Sequence, residues 1–384
     1  MPRWLYYLLI LAVIAPLIAL IGGTQQVTAI FIFATLSLIP LAALIGQATE
    51  NLAYYVGPTN GGLLNATFGN APEIIIGIFA LHQGLIFVVK ASITGSIISN
   101  ALLVLGGSFA IGGWRWGRQY YDTRDVGQFS AMLVLSVAGL LIPFTAGLAI
   151  KDANGLESIS IGISVVLLVM YVTYLIFHVF QVRTKRRNPR TYKGRSGTTR
   201  PLYLDRDKLE DEEVNPMSGG VDPREIEMPQ HPSLWLTIAV LLLATVGTAW
   251  NSELLVGSIE PVARQFGWSP VFISLVIIPI VGNAAEHSSA LLVAYRDRID
   301  LSIAIAAGSS IQVATFVAPV LVLISLFYPH HLDLIFQPLE IGLLGLAAIL
   351  FRFVCIDGET TWLAGAQLMA VYFMACVVFF LLPS

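Results

Sequence analysis

The sequence predicts an all-α polytopic membrane protein of about eleven transmembrane helices, built as two inverted five-helix repeats plus an extra N-terminal helix. Three observations predict this fold. Apolar runs of membrane-spanning length recur along the 384 residues, charged residues make up only 12% of the chain, and one polar motif occurs twice in matching contexts. Soluble domains carry about 25% charged residues. A soluble multidomain protein would have to bury many runs of about 20 apolar residues, so we set that class aside.

The apolar segments are long enough to cross a bilayer, which takes about 20 residues of helix. The first follows Met1-Pro2-Arg3. It is long for the apolar region of a signal peptide and lacks a clear small-x-small cleavage site, so we interpret it as a retained helix. The eleven predicted spans cover about residues 4–22, 27–48, 61–81, 85–111, 128–149, 157–181, 233–257, 270–293, 300–328, 335–353 and 362–382.

The chain divides into four parts. Residues 1–26 hold the extra helix, 27–182 the first five-helix repeat, 183–231 a polar linker and 232–384 the second five-helix repeat. The linker is basic at first and then acidic between positions 205 and 213. Its composition favours a flexible segment, with a short amphipathic or cation-sensing helix in the acidic part as the alternative.

The placement of lysine and arginine predicts the orientation. With the N-terminus and the linker in the cytoplasm, that side holds seven Lys or Arg residues outside the linker. The opposite side holds two, Lys151 and Arg264. Lys90 lies inside or at the edge of a span, and we expect its ammonium group to snorkel to the external surface.

An internal repeat appears when residue 69 is superposed on residue 282, an offset of 213 residues. Gly69-Asn70-Ala71-Pro72-Glu73 then matches Gly282-Asn283-Ala284-Ala285-Glu286, and Gly95-Ser96 matches Gly308-Ser309 without a gap. Each repeat has five spans, an odd number, so the two halves should have opposite topology. Inverted repeats with glycine-interrupted segments at corresponding positions are typical of transporters whose site lies at the bilayer midplane.

Two glutamates lie inside apolar runs, Glu73 and Glu286. A charged side chain at the centre of a spanning helix costs about 2.5 kcal/mol or more and marks a functional site by default. Glycine and asparagine before each glutamate are poor helix continuations, and Pro72 removes a backbone donor. The expected break frees backbone carbonyls, which must face a cavity rather than lipid.

Carboxylates, carbonyls, amides and hydroxyls are oxygen ligands, a set that suits Ca²⁺, which takes 6–8 flexible oxygens. The span after each motif supplies further candidates, among which we single out Asn100 and Gln312; a back-bond to the helix itself is the alternative for any of the hydroxyls. The candidate cation-binding residues are Gly69, Asn70, Glu73, Ser96, Asn100, Gly282, Asn283, Glu286, Ser309 and Gln312.

The paired carboxylates could also couple the cation to protons. Two partly desolvated carboxylates resist ionising together, so they should take up protons without a cation and release them with one. Further candidates for proton coupling are Glu50 and Glu253, at the ends of their predicted spans, and His287. The alternatives are a solvated carboxylate for the first two and a plain hydrogen bond in the helix interface for His287.

At these residues the sequence resembles the calcium/cation antiporter superfamily, and within it the cation–proton antiporter (CAX) branch. The motifs are GNAPEIIIGIFALHQG with VVKASITGSIISNALLVLG in the first half, and GNAAEHSSALLVAYRDR with AIAAGSSIQVATFVAPV in the second. GQATENLA, NSELLVGSIEP and DGETTWLAGAQLMAVYF are also similar to that family. One departure is Pro72, where the family often has threonine.

The resemblance implies an eleven-span fold with a dispensable first helix and a cytoplasmic N-terminus. It implies Ca²⁺ at the midplane held by Glu73 and Glu286, with Asn70 and Asn283 in the site region and Ser96, Ser309 and Gln312 nearby. It further implies that spans two and seven slide between inward- and outward-open states. Family members remove Ca²⁺ from the cytosol with a proton gradient.

The leading hypothesis is therefore a secondary active antiporter that exchanges cytosolic Ca²⁺ for protons by alternating access. A Na⁺/Ca²⁺ exchanger on the same fold is the nearest alternative, followed by a cation channel. An intramembrane enzyme that uses Glu286 and His287 has no second metal triad or nucleophile to support it, so we do not expect an enzyme.

We expect Ca²⁺ and H⁺ as substrates, the lipid bilayer as surroundings, and no resident cofactor or nucleic-acid partner. No GxxxxGK[ST] nucleotide-binding motif is visible in the sequence. A chain without the long N-terminal extension of plant members favours a microbial source, and hence a bacterial plasma membrane. A vacuolar membrane is the alternative for a eukaryote.

Overall fold

The structure, a computed structural model, describes residues 3–22, 26–150, 152–187, 191–193, 199–201 and 233–382. The described chain is nearly all helical, as expected. Seven helices are long and apolar enough to cross a membrane, or eight if a bent pair is counted as one span.

The first half contains α1 (Arg3–Leu8), α2 (Leu11–Gly22), α3 (Val27–Phe68), α4 (Ala71–His82), α5 (Ile86–Ile98), the π-helical segment π1 (Ser99–Val104), α6 (Leu105–Trp116), the strand β1 (Gln119–Tyr120), α7 (Thr123–Ala149) and α8 (Ala153–Arg187).

The strands β2 (Thr191–Lys193) and β3 (Thr199–Pro201) follow. The second half contains α9 (Leu234–Phe266), α10 (Pro270–Phe272), π2 (Ile273–Ile277), α11 (Ile278–Gly282), α12 (Ala284–Tyr295), α13 (Ile299–Gln312), π3 (Val313–Val317), α14 (Ala318–Ser325), α15 (Pro338–Val354), β4 (Glu359–Thr360) and α16 (Trp362–Leu381).

The chain forms two compact units, one of Met1–Tyr171 with Leu234–Ser384 and one of Val172–Ser233. The second unit includes the predicted linker. Its described part contains the end of α8 and the antiparallel pair β2–β3, in which Tyr192 faces Arg200. The acidic stretch 205–213, where a short helix was the alternative, lies outside the described residues.

The helix breaks fall at the two glycine–asparagine pairs. α3 ends at Phe68 and α4 begins at Ala71, whereas α11 ends at Gly282 and α12 begins at Ala284. The α10–α11 and α12 segments are bent by 61° at this break. The expected break is therefore confirmed, and the predicted span 270–293 corresponds to the bent pair Pro270–Gly282 and Ala284–Tyr295. The predicted spans 27–48 and 61–81 were wrong in their boundaries, because α3 continues without interruption from 27 to 68.

The repeat of 213 residues extends to the backbone geometry. The motif asparagines have nearly the same dihedral angles, φ −98° and ψ 14° at Asn70 and φ −95° and ψ 12° at Asn283. The turn after each motif helix contains a left-handed residue at the same position, Gly84 with φ 72° and Asp297 with φ 62°. Aspartate tolerates this conformation better than most residues.

A π-helical segment interrupts the next helix at the equivalent place in each half, π1 after Ile98 and π3 after Gln312. Segments of this kind are rare and often occur at functional sites. Both follow directly on the candidate residues of α5 and α13, so the two halves place their polar side chains in the same local context.

The predicted first span, here α2, makes specific contacts with the long helices α3 and α9. α2 packs against both α3 and α9. Pro16, inside α2, has no N–H to donate to the carbonyl of Ala12. Asn251 of α9 donates a hydrogen bond from Nδ2 to that carbonyl over 3.1 Å. A side chain from another helix therefore satisfies the acceptor that the proline frees.

Lys90 does not snorkel as expected. Its Nζ lies 2.6 Å from Asp333 Oδ1 and donates to the carbonyl of Ile335 over 2.8 Å. The ammonium instead fixes the loop between α14 and α15 against the start of α5. After the end of α6, the short strand β1 pairs antiparallel with β4, where Gln119 faces Thr360.

α6 and α16 pack with unusually close backbones. A Cβ added at Gly365 would lie 2.3 Å from the backbone nitrogen of Ala110 and 2.4 Å from the carbonyl oxygen of Gly106. Real Cβ atoms are not found at such distances from backbone atoms, so even alanine would force the two helices apart. Small residues permit this kind of approach between membrane helices.

We therefore predict that Gly365→Ala destabilises the protein by about 1–3 kcal/mol, the usual range for overpacking a close contact. Thermal unfolding of the detergent-purified protein, followed by fluorescence-detected size exclusion, measures the effect. Gly342→Ala is the matched control, because a Cβ there meets nothing within 4 Å. A Gly365→Ala variant as stable as Gly342→Ala would contradict the close contact.

Candidate functional site

Two helix breaks bring the motif residues of both halves together inside the first unit. Glu73 occupies the first turn of α4 and Glu286 the first turn of α12. A Cβ added at Gly282 would lie 3.4 Å from Glu73 Oε1. The glutamate of one half thus reaches the glycine of the other, and the absence of a side chain at Gly282 leaves room for the carboxylate.

Side-chain hydrogen bonds join the two halves at this level. Asn70 donates from Nδ2 to Gln312 Oε1 over 2.7 Å. Asn283 donates from Nδ2 to Ser96 Oγ over 3.2 Å, and also to the carbonyl of Pro279 over 3.1 Å. Each motif asparagine therefore binds the helix that follows the opposite motif. The sequence predicted these residues as one cluster, and the structure brings them together.

The glutamates contribute carboxylates that the protein does not fully satisfy. Both oxygens of Glu73, and Oε2 of Glu286, are buried without a hydrogen-bond partner in the described part of the chain. The two groups are close enough to repel each other when both are ionised. A buried carboxylate without partners is costly, so a proton or a cation bound here would relieve both the missing hydrogen bonds and the repulsion.

Glu286 lies beside a network of polar side chains. The Ser309 hydroxyl is close to the Glu286 carboxylate, and Asn100 donates from Nδ2 to Ser309 Oγ over 2.8 Å. The other end of the Asn100 amide lies 3.0 Å from Nε2 of His287, which is buried. His287 thus makes a hydrogen bond in the helix interface, and its part in proton coupling stays a prediction.

Glu50 and Glu253 do not belong to this cluster. Both lie within long helices, α3 and α9, and both side chains are exposed. α3 and α9 continue beyond the apolar runs through polar residues, so the end of a helix does not mark where either span ends.

Sequence reasoning missed two members of the site. Pro279 supplies the carbonyl that Asn283 binds, and it lies four residues before Asn283 on α11. Ser92 lines a small cavity beside Glu73 together with Ser96. The signal for Ser92 was present, since residues four apart share one face of a helix.

The oxygen atoms at this site determine which kind of ion it can bind. Within the described ranges, no group of three or more His, Cys, Asp or Glu side chains could hold a metal ion. The site instead offers two carboxylates surrounded by amides, hydroxyls and the carbonyls at the breaks. Neutral oxygens around a few charges suit a hard cation that is bound reversibly, and the carboxylates can exchange it for protons.

A polar site at two matched helix breaks in a helical membrane protein is typical of transporters. A family model, described as sodium/calcium exchanger protein, matches residues 26–180 and 236–381. The chain belongs to this family. Its expected resemblance to the Ca²⁺/H⁺ antiporters is also confirmed by individual relatives.

The chain is 39% identical over 362 residues to a Ca²⁺/H⁺ antiporter of Synechocystis sp., covering 93% of this chain and 92% of that protein. It is 38% identical over 368 residues to the Ca²⁺/H⁺ antiporter ChaA of Bacillus subtilis, covering 95% of this chain and 96% of that protein. Among solved structures, native YfkE matches with a TM-score of 0.76 at 34% identity, covering 98% of this chain and 100% of that one.

The Asn100–His287 pair gives a test of the network. At the equivalent positions of the other half stand Val313 and Ile74. We predict that Asn100→Val alone destabilises the protein by about 1–3 kcal/mol, because it leaves buried polar partners unsatisfied. The double variant with His287→Ile should lose less than the sum of the two single variants, because it removes both members of one pair.

Thermal unfolding of the four proteins in detergent completes this cycle. Ser288→Ala is the control, since that hydroxyl is exposed and bonds only to its own helix at Ala284. Additive losses in the double variant would show that the 3.0 Å contact contributes nothing to folding.

Proposed function

We propose that this protein is a secondary active antiporter that exchanges Ca²⁺ for protons across a membrane. The observation that carries the proposal is the meeting of two buried carboxylates, Glu73 and Glu286, at matched helix breaks. Glu73 has no hydrogen-bond partner for either oxygen within the described part of the chain. The names of the relatives, two Ca²⁺/H⁺ antiporters at 38–39% identity, agree with this chemistry.

In the proposed mechanism the cation binds between the two glutamates at the midplane. Carbonyls at Gly69 and Gly282 and side-chain oxygens from both halves complete the coordination sphere. The side chains proposed for this are Asn70, Ser96, Asn100, Asn283, Ser309 and Gln312. Several lie within hydrogen-bonding distance of one another across the halves, so a cation would replace bonds that already converge on one place.

Protons compete with the cation for the same carboxylates. Two neighbouring buried carboxylates favour uptake of protons when no cation is present, and a divalent cation displaces those protons. If the site faces one side of the membrane at a time, this competition alone couples the two fluxes in opposite directions. His287 and Asn100 orient Ser309 toward Glu286 in this scheme, whereas Glu50 and Glu253 remain candidates for a proton path only.

Alternating access follows from the repeat. We infer eleven spans in two five-helix repeats of opposite topology, with the N-terminus in the cytoplasm and the protein in a bacterial plasma membrane. The matched angles at Asn70 and Asn283 support two halves that are related by symmetry. An inverted pair can exchange roles, so that one half opens to each side in turn.

The proposed mechanism makes a prediction about the two carboxylates. Glu73→Gln and Glu286→Gln should each reduce ΔpH-driven ⁴⁵Ca²⁺ uptake into sealed vesicles at least about 100-fold, because a glutamine cannot lose a proton or balance the charge of the cation. Glu260→Gln, whose exposed carboxylate pairs with Arg264 on α9, should transport normally.

Uptake in both glutamate variants at the level of the control would show that these glutamates are structural, and the coupling would then be sought at Glu50, Glu253 or His287. Uptake by the wild type that requires a Na⁺ gradient rather than a pH gradient would favour the Na⁺/Ca²⁺ exchanger instead.

Competition between protons and Ca²⁺ for the same carboxylates makes a further prediction. Raising the pH on the side where Ca²⁺ enters should lower the apparent KM for Ca²⁺ and leave the maximal rate nearly unchanged. Deprotonated carboxylates bind the cation, so stronger binding at higher pH is the expected sign. Initial rates at several pH values and Ca²⁺ concentrations measure this. A pH effect on the maximal rate alone would indicate separate sites for protons and cation.

A further inference from the structure

A small cavity adjoins Glu73 and is lined by residues of α4, α5, α11, π3 and α14. It offers about 10 Å³ of space for the centres of water molecules, close to the roughly 10–15 Å³ that one ordered water needs. Its polar lining consists of Glu73, Ser92 and Ser96, and the remaining lining is Gly282 and apolar side chains. Three polar groups thus converge on a space of the size of one water molecule.

The hydrogen-bonding capacities of the three groups are complementary. Ser92 donates its hydroxyl proton to the carbonyl of Val89 over 2.9 Å, so its remaining capacity is that of an acceptor. Ser96 Oγ accepts from Asn283 and can donate its own proton. Both oxygens of Glu73 are acceptors without partners in the described residues. One water could donate to Glu73 and Ser92 and accept from Ser96, about the three bonds that buried waters make.

The cavity is too apolar to be the cation position itself. A bound Ca²⁺ takes 6–8 oxygens, often including water, whereas this lining provides one carboxylate and two hydroxyls. Ser92 lies four residues before Ser96, about 6 Å along the helix axis. The geometry therefore suits a hydroxyl that acts on the site through a water rather than by direct contact with the ion.

The two halves differ at this position. Ser92 is replaced by Ile305 at the equivalent place in the second half. Glu73 borders the cavity, whereas Glu286 is not part of its lining and lies beside Ser309. The two carboxylates therefore have different polar surroundings.

We propose that Ser92 is a positioning residue of the cation site. With Ser96 it holds one water molecule against the Glu73 carboxylate, and this water supplies one of the oxygen ligands when the cation binds. The inference rests on the proposed function, because it assumes a divalent cation at Glu73. Outer partners that orient metal ligands typically contribute about 10–100-fold to affinity.

The test is equilibrium binding of ⁴⁵Ca²⁺ to the purified protein in detergent at fixed pH. Ser92→Ala should raise the Kd about 10-fold. Ser92→Thr keeps the hydroxyl and should bind more tightly than Ser92→Ala. The matched control is Ser258→Ala, which removes a serine with the same back-bond to the third residue before it but away from the cavity; its Kd should stay within about twofold of the wild type.

Transport kinetics separate positioning from general damage to the fold. Ser92→Ala should raise the KM for Ca²⁺ by the same factor as the Kd and leave the maximal rate unchanged. A wild-type Kd in Ser92→Ala, or a reduced maximal rate at unchanged KM, would overturn the inference. Ser92→Thr binding no better than Ser92→Ala would also overturn it, since the hydroxyl would then be irrelevant.

The water itself can be counted. Eu³⁺ is a luminescent substitute for Ca²⁺. Its luminescence decays faster in H₂O than in D₂O, and the difference between the two decay rates is proportional to the number of water molecules bound to the ion. We expect the wild type to carry one more water than Ser92→Ala, and equal numbers would overturn the inference. A wild type that binds Ca²⁺ but shows no ΔpH-driven uptake would overturn the proposed function only, because the binding comparison does not depend on a proton gradient.

Discussion

Two carboxylates buried beside each other in an apolar protein form the constraint on which the rest of this structure depends. Neither Glu73 nor Glu286 can keep its charge cheaply in such surroundings, and they repel each other when both are ionised. The helix breaks at Gly69-Asn70 and Gly282-Asn283 place both groups at first turns, where backbone N–H groups have no partner within the helix. The asparagines then join each break to the opposite half. The unsatisfied carboxylates cost folding free energy, and the same lack of partners leaves their oxygens open to a proton or a cation.

The two halves use the same backbone with different side chains. Dihedral angles at the breaks, the left-handed residue after each motif helix and the π-helical segments recur at an offset of 213 residues. The polar contacts do not recur. Asn100 and His287 form a buried pair where the other half has Val313 and Ile74, and Ser92 stands where the other half has Ile305. The two halves therefore share local backbone geometry, while the side chains give each carboxylate its own environment.

Local features of the sequence predicted most of the site. A glycine–asparagine pair interrupts a helix by its own chemistry, and a repeat brings matched residues to matched places. Asn70, Ser96, Asn283 and Gln312 could therefore be expected in one cluster, and the structure has them within hydrogen-bonding distance of one another. Features that depend on distant partners were not predictable in this way. Lys90 has its partner Asp333 on a loop 243 residues away, and no local pattern indicates that pairing. The uninterrupted course of α3 through polar residues was likewise not visible in hydropathy, and α3 packs against α9, which is distant in sequence.

The proline in the first helix has a consequence for how this protein can be shortened. Asn251 is fully buried and bonds to a carbonyl that exists as a free acceptor only because Pro16 cannot donate to it. A truncated chain that begins at α3 would remove one of the two acceptors of this amide and leave its bond to the carbonyl of Gly247 within α9. It would also uncover a polar side chain that is now buried between helices, so an apolar residue at position 251 should stabilise a shortened chain.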